Sequence, residues 1–189
     1  MNYEFEKAWD YIEACDFEAA VPILMKLANE GERDAQFHLA RCYEFGDGVP
    51  QDYELAFYWY TKSAEEGDAY ANCEIGRFYY NGYAVDRDYK KAVRLFRIGA
   101  KGGIGEAMYY LGLCYEHGHG VKQNIVEAAR WYRKGAKEGD FDATYCLGVC
   151  YEKGNGVKQS LEKAIKQYAD AARFGHDGAQ TALKRLEKK

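Results

Sequence analysis

The apolar residues follow a helical spacing that glycine interrupts at regular intervals. In "ATYCLGVCYEKG" (143–154), apolar residues fall at i, i+4 and i+7/i+8, which is one stripe along an α-helix. The glycine at the end of this segment, Gly154, suits a left-handed helix C-cap. A short G-x-G-V loop follows, so the pattern predicts a helix that ends at a glycine turn.

A second helical pattern follows each such loop. In "NIVEAARWYRKGAKEG" (124–139), Ala128, Trp131, Tyr132 and Ala136 share one face. The residue before the pattern is always a good N-cap type, and the four are Asp52, Asp88, Asn124 and Ser160. The chain is therefore predicted to form helix-loop-helix units, with small residues where neighbouring helices approach closely.

The same positions recur every 36 residues along the chain. The recurring sets include Ala28, Ala64, Ala100, Ala136 and Ala172; Gly31, Gly67, Gly103, Gly139 and Gly175; Leu39, Ile75, Leu111, Leu147 and Leu183; Tyr43, Tyr79, Tyr115 and Tyr151; and Ala56, Ala92, Ala128 and Ala164. A fixed period of this length is typical of a stacked repeat architecture, so we expect an α-solenoid.

The pattern A-x3-LG-x2-Y-x2-G-x-G-V-x-x-[DN]-x3-A-x2-[WL]-[YF]-x3-A-x2-G closely resembles the Sel1-like repeat, a relative of the tetratricopeptide repeat. The resemblance covers residues 32–175 in four copies, 32–67, 68–103, 104–139 and 140–175. It implies an all-α fold, a right-handed α-solenoid of helix-loop-helix repeats forming a single domain over residues 1–189. Residues 1–31 are expected to form a shortened helical hairpin, and residues 176–189 a capping helix whose Lys184, Arg185, Lys188 and Lys189 suit an exposed end.

Three positions depart from the repeat pattern. Ala40 stands where glycine is usual, Ala84 replaces the second loop glycine, and Gln167 replaces an aromatic residue. The last departure predicts weaker packing toward the C-terminal end.

Composition and charge narrow the function classes. The net charge of −4 argues against a nucleic-acid partner, which a basic face would favour. We find neither a signal peptide nor an apolar run long enough to span a membrane. The six cysteines contain no C-x-x-C pair and are expected to be reduced thiols in a cytoplasmic protein.

Two local motifs suggest chemistry but are better explained by the repeat. Cys114, His117 and His119 spell C-x2-H-x-H, yet the aligned copy carries Lys153 and Asn155 at the two histidine positions, so we predict no metal site and no cofactor. "SLEK" (160–163) spells the S-x-x-K motif of penicillin-recognising enzymes, but its serine occupies the N-cap register and the companion motifs are absent.

The first helix of each repeat carries the candidate binding surface, because such helices line the concave side of helical-hairpin solenoids. By analogy with the tetratricopeptide arrangement, offsets 0, 3, 7 and 10 of each first helix face the groove. The predicted partner-binding residues are Phe37, Arg41, Tyr70, Arg77, Tyr80, Tyr109 and Tyr145. Aromatic residues and arginine are typical of interface centres. The alternative is that these tyrosines only pack between helices and the arginines pair with Glu44 or Glu74.

The resemblance implies a non-catalytic scaffold or adaptor that binds a peptide or partner protein, without nucleic acid or membrane. The alternative is a β-lactam-interacting or β-lactam-hydrolysing protein, as some cysteine-rich relatives are. A third possibility is self-association through an exposed repeat end, although we expect a monomer.

Overall fold

The computed structural model describes residues 3–187, which form eleven helices and no strand. Lys188 and Lys189 lie outside the described residues. The helices are α1 Tyr3–Glu13, α2 Phe17–Asn29, α3 Arg33–Phe45, α4 Tyr53–Glu65, α5 Ala69–Asn81, α6 Tyr89–Lys101, α7 Gly105–His117, α8 Ile125–Lys137, α9 Phe141–Lys153, α10 Leu161–Arg173 and α11 Asp177–Leu186. The predicted all-α repeat fold is thereby confirmed, and the hand of the superhelix stays a prediction.

The chain divides into two compact units, Met1–Arg87 and Asp88–Lys189. In unit 1, each helix packs against the next one in the chain, from α1 through α5. In unit 2, α6 to α11 pack in the same consecutive order, and α7 also touches α9. Consecutive helices joined by short loops thus bury their apolar stripes against one another.

The predicted caps set the helix ends. The side chain of Asp52 accepts hydrogen bonds from the backbone N–H groups of Glu54 and Leu55, both at 2.9 Å. Asp88, Asn124 and Ser160 cap their helices in the same way. The small residues at the helix crossings are buried as predicted: Ala56, Ala92, Ala128 and Ala164 are at most 1% exposed.

The second loop glycine is required by both conformation and space. Gly120 has φ +70°, and a Cβ there would lie 2.4 Å from the carbonyl oxygen of Tyr89. Ala84 occupies the equivalent position with φ +55°. This left-handed conformation is energetically unfavourable for a residue that has a Cβ. In that copy the ring of Tyr83 stacks on Tyr53 at 5.3 Å.

The first-helix glycine is set by an aromatic ring of the following helix. A Cβ at Gly112 would lie 2.3 Å from the ring of Tyr132, and one at Gly148 would lie 2.7 Å from the ring of Tyr168. Both tyrosines are at most 1% exposed. The L-G pair of the repeat therefore makes room for a buried tyrosine.

Candidate functional site

The predicted groove residues of unit 1 differ widely in exposure. Tyr70 is 61% exposed, near the start of α5. Its ring lies 6.1 Å from that of Phe37, which is half-buried and also contacts the buried Tyr60 at 5.5 Å. Tyr80 is half-buried. Phe37 and Tyr70 thus form one aromatic contact that bridges α3 and α5.

Arg41 and Arg77 occupy equivalent repeat positions but have different surroundings. Arg41 is exposed, with its guanidinium 5.8 Å from the ring of Phe45. Arg77 lies with 16% of its side chain exposed and forms ion pairs with Glu44 and Glu74, the latter at 2.5 Å. The pairing alternative therefore holds for Arg77, while Arg41 keeps its guanidinium at the surface.

The different surroundings follow from the residues that neighbour each arginine. Glu74 lies three residues before Arg77, and His38 stands at that place before Arg41. Glu44 is the next-to-last residue of α3, whereas Ile12 holds that place on α1. Arg77 therefore has an acid from its own helix and one from the preceding first helix, and Arg41 has neither.

Burial dominates the electrostatics of this cluster. Desolvation raises the pKa of Glu74, against the attraction of Arg77. Burial also acts to lower the pKa of Arg77, but Glu74 and Glu44 outweigh it, so the net pKa is raised and the guanidinium stays charged. Tyr60 donates a hydrogen bond of 2.8 Å to the second oxygen of Glu44. The cluster is therefore internally satisfied and holds α3, α4 and α5 together.

The tyrosine–glutamate bond recurs with the 36-residue period. In unit 2, Tyr132 donates to Glu116, and Tyr168 donates to Glu152 at 2.7 Å. Arg185 repeats the role of Arg77 by pairing with Glu152 at 2.7 Å. At the remaining copy both partners change together, since Phe96 and Tyr80 stand in the positions of the tyrosine and the glutamate. Alignment of the four copies at the 36-residue spacing already shows that the tyrosine and the glutamate are replaced in the same copy.

The two predicted tyrosines of unit 2 are half-buried and contact neighbouring rings. Tyr109 meets Tyr110 at 5.3 Å and Tyr132 at 6.3 Å. Tyr145 stacks on His176 at 4.4 Å. Each tyrosine thus packs between helices and also presents part of its ring to solvent.

A cavity of about 530 Å³, which the repeat pattern does not predict, lies between α1 and α3 in unit 1. Its aromatic lining is Phe5, Trp9 and His38, with Trp9 40% exposed. The loop 14–16 is four residues shorter than the loop 46–52, so α1 is offset by 32 rather than 36 residues from α3. Counted with that offset, Phe5 and Trp9 correspond to Phe37 and Arg41, the groove positions. The sequence does contain a signal for this offset: Ala8 and Tyr11 have the same spacing as Ala40 and Tyr43 and lie 32 residues earlier.

A second cavity, of about 490 Å³, lies in unit 2 beside Gln167. It is lined by residues of α8, α9 and α10, including the stacked pair Phe141 and Phe174 at 4.3 Å. Gln167, which stands where an aromatic residue is usual, lines this cavity, and the weaker packing expected toward the C-terminal end stays a prediction. The basic residues at its rim are Arg133, Lys137, Lys166 and Arg173.

The two chemical motifs occupy structural positions. The ring of His119 stacks on Tyr89, with centroids 4.2 Å apart. Between residues 3 and 187, no group of three His, Cys, Asp or Glu side chains is placed to hold a metal ion. Ser160 accepts from the backbone N–H of Lys163 at 3.3 Å, and the Lys163 ammonium lies over the ring of Tyr151. The serine therefore acts as a cap, with the motif lysine directed to an aromatic ring.

The cysteines are poor nucleophiles where they are enclosed. Cys114 is fully buried and Cys146 is half-buried, and desolvation raises the pKa of each thiol to about 12. No disulfide forms among the described cysteines, and Cys15 is exposed. In the described part of the chain, no helix is long and apolar enough to cross a membrane.

Comparisons with known proteins agree with this architecture. A family model described as Sel1 repeat matches residues 33–68, 69–104, 105–140 and 142–173. The chain is 32% identical to a Sel1 repeat protein from Oxalobacter formigenes, over 98% of this chain and 78% of that one, with a TM-score of 0.91. None of the curated proteins matches the chain.

Two further solved structures share the fold. One is c5321, a protective antigen of uropathogenic Escherichia coli strains with an SLR fold, at 29% identity over 97% of this chain and 40% of that chain, with a TM-score of 0.82. The other is cysteine rich protein B of Helicobacter pylori, at 24% identity over 70% of this chain and 96% of that chain, with a TM-score of 0.57. The latter likeness concerns the fold alone.

Proposed function

Because the chain belongs to the Sel1 repeat family, we propose that it is a non-catalytic scaffold that binds a peptide or partner protein along its first helices. Sel1 repeat proteins are generally protein-interaction scaffolds. In this chain the binding surface of unit 1 comprises Phe37, Arg41 and Tyr70. Tyr80 of unit 1 and, in unit 2, Tyr109 and Tyr145 are further binding residues in this proposal, and all three are half-buried.

The observation that carries the proposal is the exposure of an aromatic ring and a guanidinium on neighbouring first helices. Tyr70 exposes 61% of its surface, and Arg41 is exposed without an ion pair among the described residues. Aromatic and arginine side chains supply large contact areas and directed hydrogen bonds, and they dominate the energetics of interfaces. Arg77 contributes to the surface indirectly: Glu44 and Glu74 engage its guanidinium, and the pair with Glu44 holds α5 against α3.

A peptide library tests this assignment. Peptides selected on the immobilised wild-type chain are titrated against the double variant Arg41→Glu/Tyr70→Ala. We expect this variant to bind at least about tenfold more weakly, the equivalent of about 1.4 kcal/mol. The matched control is Tyr58→Ala/Lys62→Glu, which changes an exposed tyrosine and a cation on α4 of the same unit.

The comparison of the two variants decides the outcome. Circular dichroism first establishes that both variants remain folded. A loss of peptide affinity confined to Arg41→Glu/Tyr70→Ala, the α3/α5 variant, supports the binding surface. An equal loss in both variants, or a loss confined to the α4 control, would contradict it.

The β-lactam alternative has less support from the geometry. Ser160 caps α10, and Lys163, which would have to activate it, lies over Tyr151. A general base must reach the proton that it removes. A chromogenic β-lactam hydrolysed by the wild type and spared by Ser160→Ala would favour this alternative over the scaffold.

A further inference from the structure

The cavity between α1 and α3 carries negative charge beside its aromatic rings. Its lining includes three carboxylates, those of Glu6, Asp10 and Asp34. Asp34 pairs with Arg33, whereas the side-chain carboxylates of Glu6 and Asp10 form no ion pair or hydrogen bond within the described part of the chain. Glu6 and Asp10 are four residues apart on α1 and so share one helix face.

Neither Lys7 of α1 nor Lys26 of α2 pairs with this face of α1. Lys7 lies over the ring of Tyr11, 6.0 Å from its centroid, and lines a separate cavity with Glu4 and Lys26. Lys26 pairs with Glu4 at 2.7 Å. No cation among the described residues therefore pairs with the two carboxylates of Glu6 and Asp10 at the α1–α3 cavity.

The aromatic wall is preorganised and uncharged. The ring of His38 lies 5.1 Å from Trp9 in an edge arrangement and 6.0 Å from Phe5. Burial, aided by nearby Arg41, lowers the pKa of His38 to about 4, so the imidazole is neutral near pH 7. Trp9 is held by a hydrogen bond from its indole N–H to Glu13 at 2.9 Å.

Rings together with two carboxylates fit a guanidinium better than any other common side-chain group. Its planar face stacks on aromatic rings, and its N–H fork pairs with carboxylates. An ammonium is a compact point charge that stacks less well, an anion would be repelled, and a neutral ring would leave both carboxylates unpaired. We propose that the cavity lined by Phe5, Glu6, Trp9, Asp10, Asp34 and His38 binds an arginine side chain of the protein or peptide that the scaffold holds. This inference rests on the proposed function and identifies one contact of the partner.

A small arginine peptide is a direct probe of the cavity. The peptide acetyl-Gly-Arg-Gly-amide is titrated into the full chain, and the indole N–H signal of Trp9 is followed by NMR after assignment with Trp9→Phe. We expect a saturable shift in about the millimolar range, as befits a single side chain. The citrulline peptide has the same shape without the charge and should bind at least about tenfold more weakly.

Isosteric variants identify the groups that bind. In Glu6→Gln/Asp10→Asn, which changes only exposed residues, the arginine peptide should lose at least about tenfold in affinity. The control Glu18→Gln/Glu54→Gln removes the same charge from exposed acids of the same unit and should retain the wild-type affinity. Equal binding of the arginine and citrulline peptides, or an unchanged affinity of the Glu6/Asp10 variant, would overturn the proposal. Equal binding of the corresponding lysine peptide would overturn its assignment to arginine.

The proposal for the cavity and the proposal for the α3/α5 surface formed by Phe37, Arg41 and Tyr70 can be refuted independently of each other. The arginine peptide should bind the Arg41→Glu/Tyr70→Ala variant no more weakly than the wild type, since neither residue lines the cavity. If library peptides ignore Arg41 and Tyr70 while the arginine peptide still requires Glu6 and Asp10, the binding surface is wrong and the cavity stands. The reverse pattern leaves the scaffold proposal intact and removes the arginine site.

Discussion

Acidification should destabilise the chain through His38, because its half-buried imidazole packs against three aromatic rings. Phe5, Trp9 and Phe37 lie with their ring centroids 5.1 to 6.0 Å from that of His38. Desolvation and Arg41 lower its pKa to about 4, and the carboxylates of Asp34 and Asp68 only partly oppose them. The folded chain therefore binds the His38 proton much less readily than the unfolded chain does.

The sign and size of the effect follow from proton linkage. The unfolded chain takes up this proton near its ordinary pKa of 6.5, and the folded chain does so near 4. The free energy of unfolding thus falls as the pH drops from the first value to the second, and it changes little outside that window. Between about pH 7.5 and about pH 5, the His38 contribution is a loss of about 2 kcal/mol.

The assay is urea denaturation, followed by circular dichroism, of the wild type and His38→Phe at both pH values. Phenylalanine keeps the ring contacts and removes the titration. All other titratable groups are the same in both proteins, so the difference between the two pH-dependent losses isolates His38. We expect the wild type to lose about 2 kcal/mol more than the variant over this range.

Two results would refute the reasoning. One is a pH-dependent loss that agrees between the two proteins to within about 0.5 kcal/mol, which is the usual limit of additivity. The other is an NMR titration in which the His38 imidazole gains its proton near the ordinary pKa. Either result would mean that the packing of the aromatic rings does not desolvate the His38 imidazole enough to lower its pKa.

Further perturbations test the repeat contacts by urea denaturation. Tyr132→Phe should cost about 2 kcal/mol, because Glu116 loses its buried donor, and an unchanged midpoint would contradict the bond. Gly120→Ala should cost more than about 2 kcal/mol, since it adds a backbone clash to the left-handed conformation, whereas Ala84→Gly should change stability by less than about 1 kcal/mol. A cost of Gly120→Ala no larger than the change caused by Ala84→Gly would refute the clash. Arg77→Met should lower the free energy of unfolding by about 3 kcal/mol near neutral pH, because it leaves buried carboxylates unpaired. The loss should be smaller on acidification, since the raised pKa of Glu74 lets that carboxyl group become neutral. A loss that does not depend on pH would contradict this.

The helices and their ends were predictable because their causes are local. Apolar spacing of three and four residues selects the helix, and an Asp, Asn or Ser before it satisfies the free N–H groups. Gly46, Gly118 and Gly154 end their helices in the left-handed conformation that the pattern requires. The 36-residue repetition of these signals also identified the family from the sequence.

The site was only partly predictable because its properties depend on side chains from different helices. Arg41 and Arg77 share a repeat register, yet one is exposed and the other lies between Glu44 and Glu74. The aromatic positions were found, but the sequence pattern could not distinguish the exposed Tyr70 from the half-buried rings, since burial depends on the neighbouring helix.

The sequence by itself determined the repeat, the helix boundaries and the capped ends, since each depends on residues within a few positions of one another. Only the tertiary structure decided which charges pair and where a cavity opens. The short loop 14–16 changes only the sequence offset of α1, whereas the contacts of Phe5 and Trp9 with His38 come from the packing of α1 beside α3. Contacts between helices depend on distances of a few ångströms, which a repeat period does not specify.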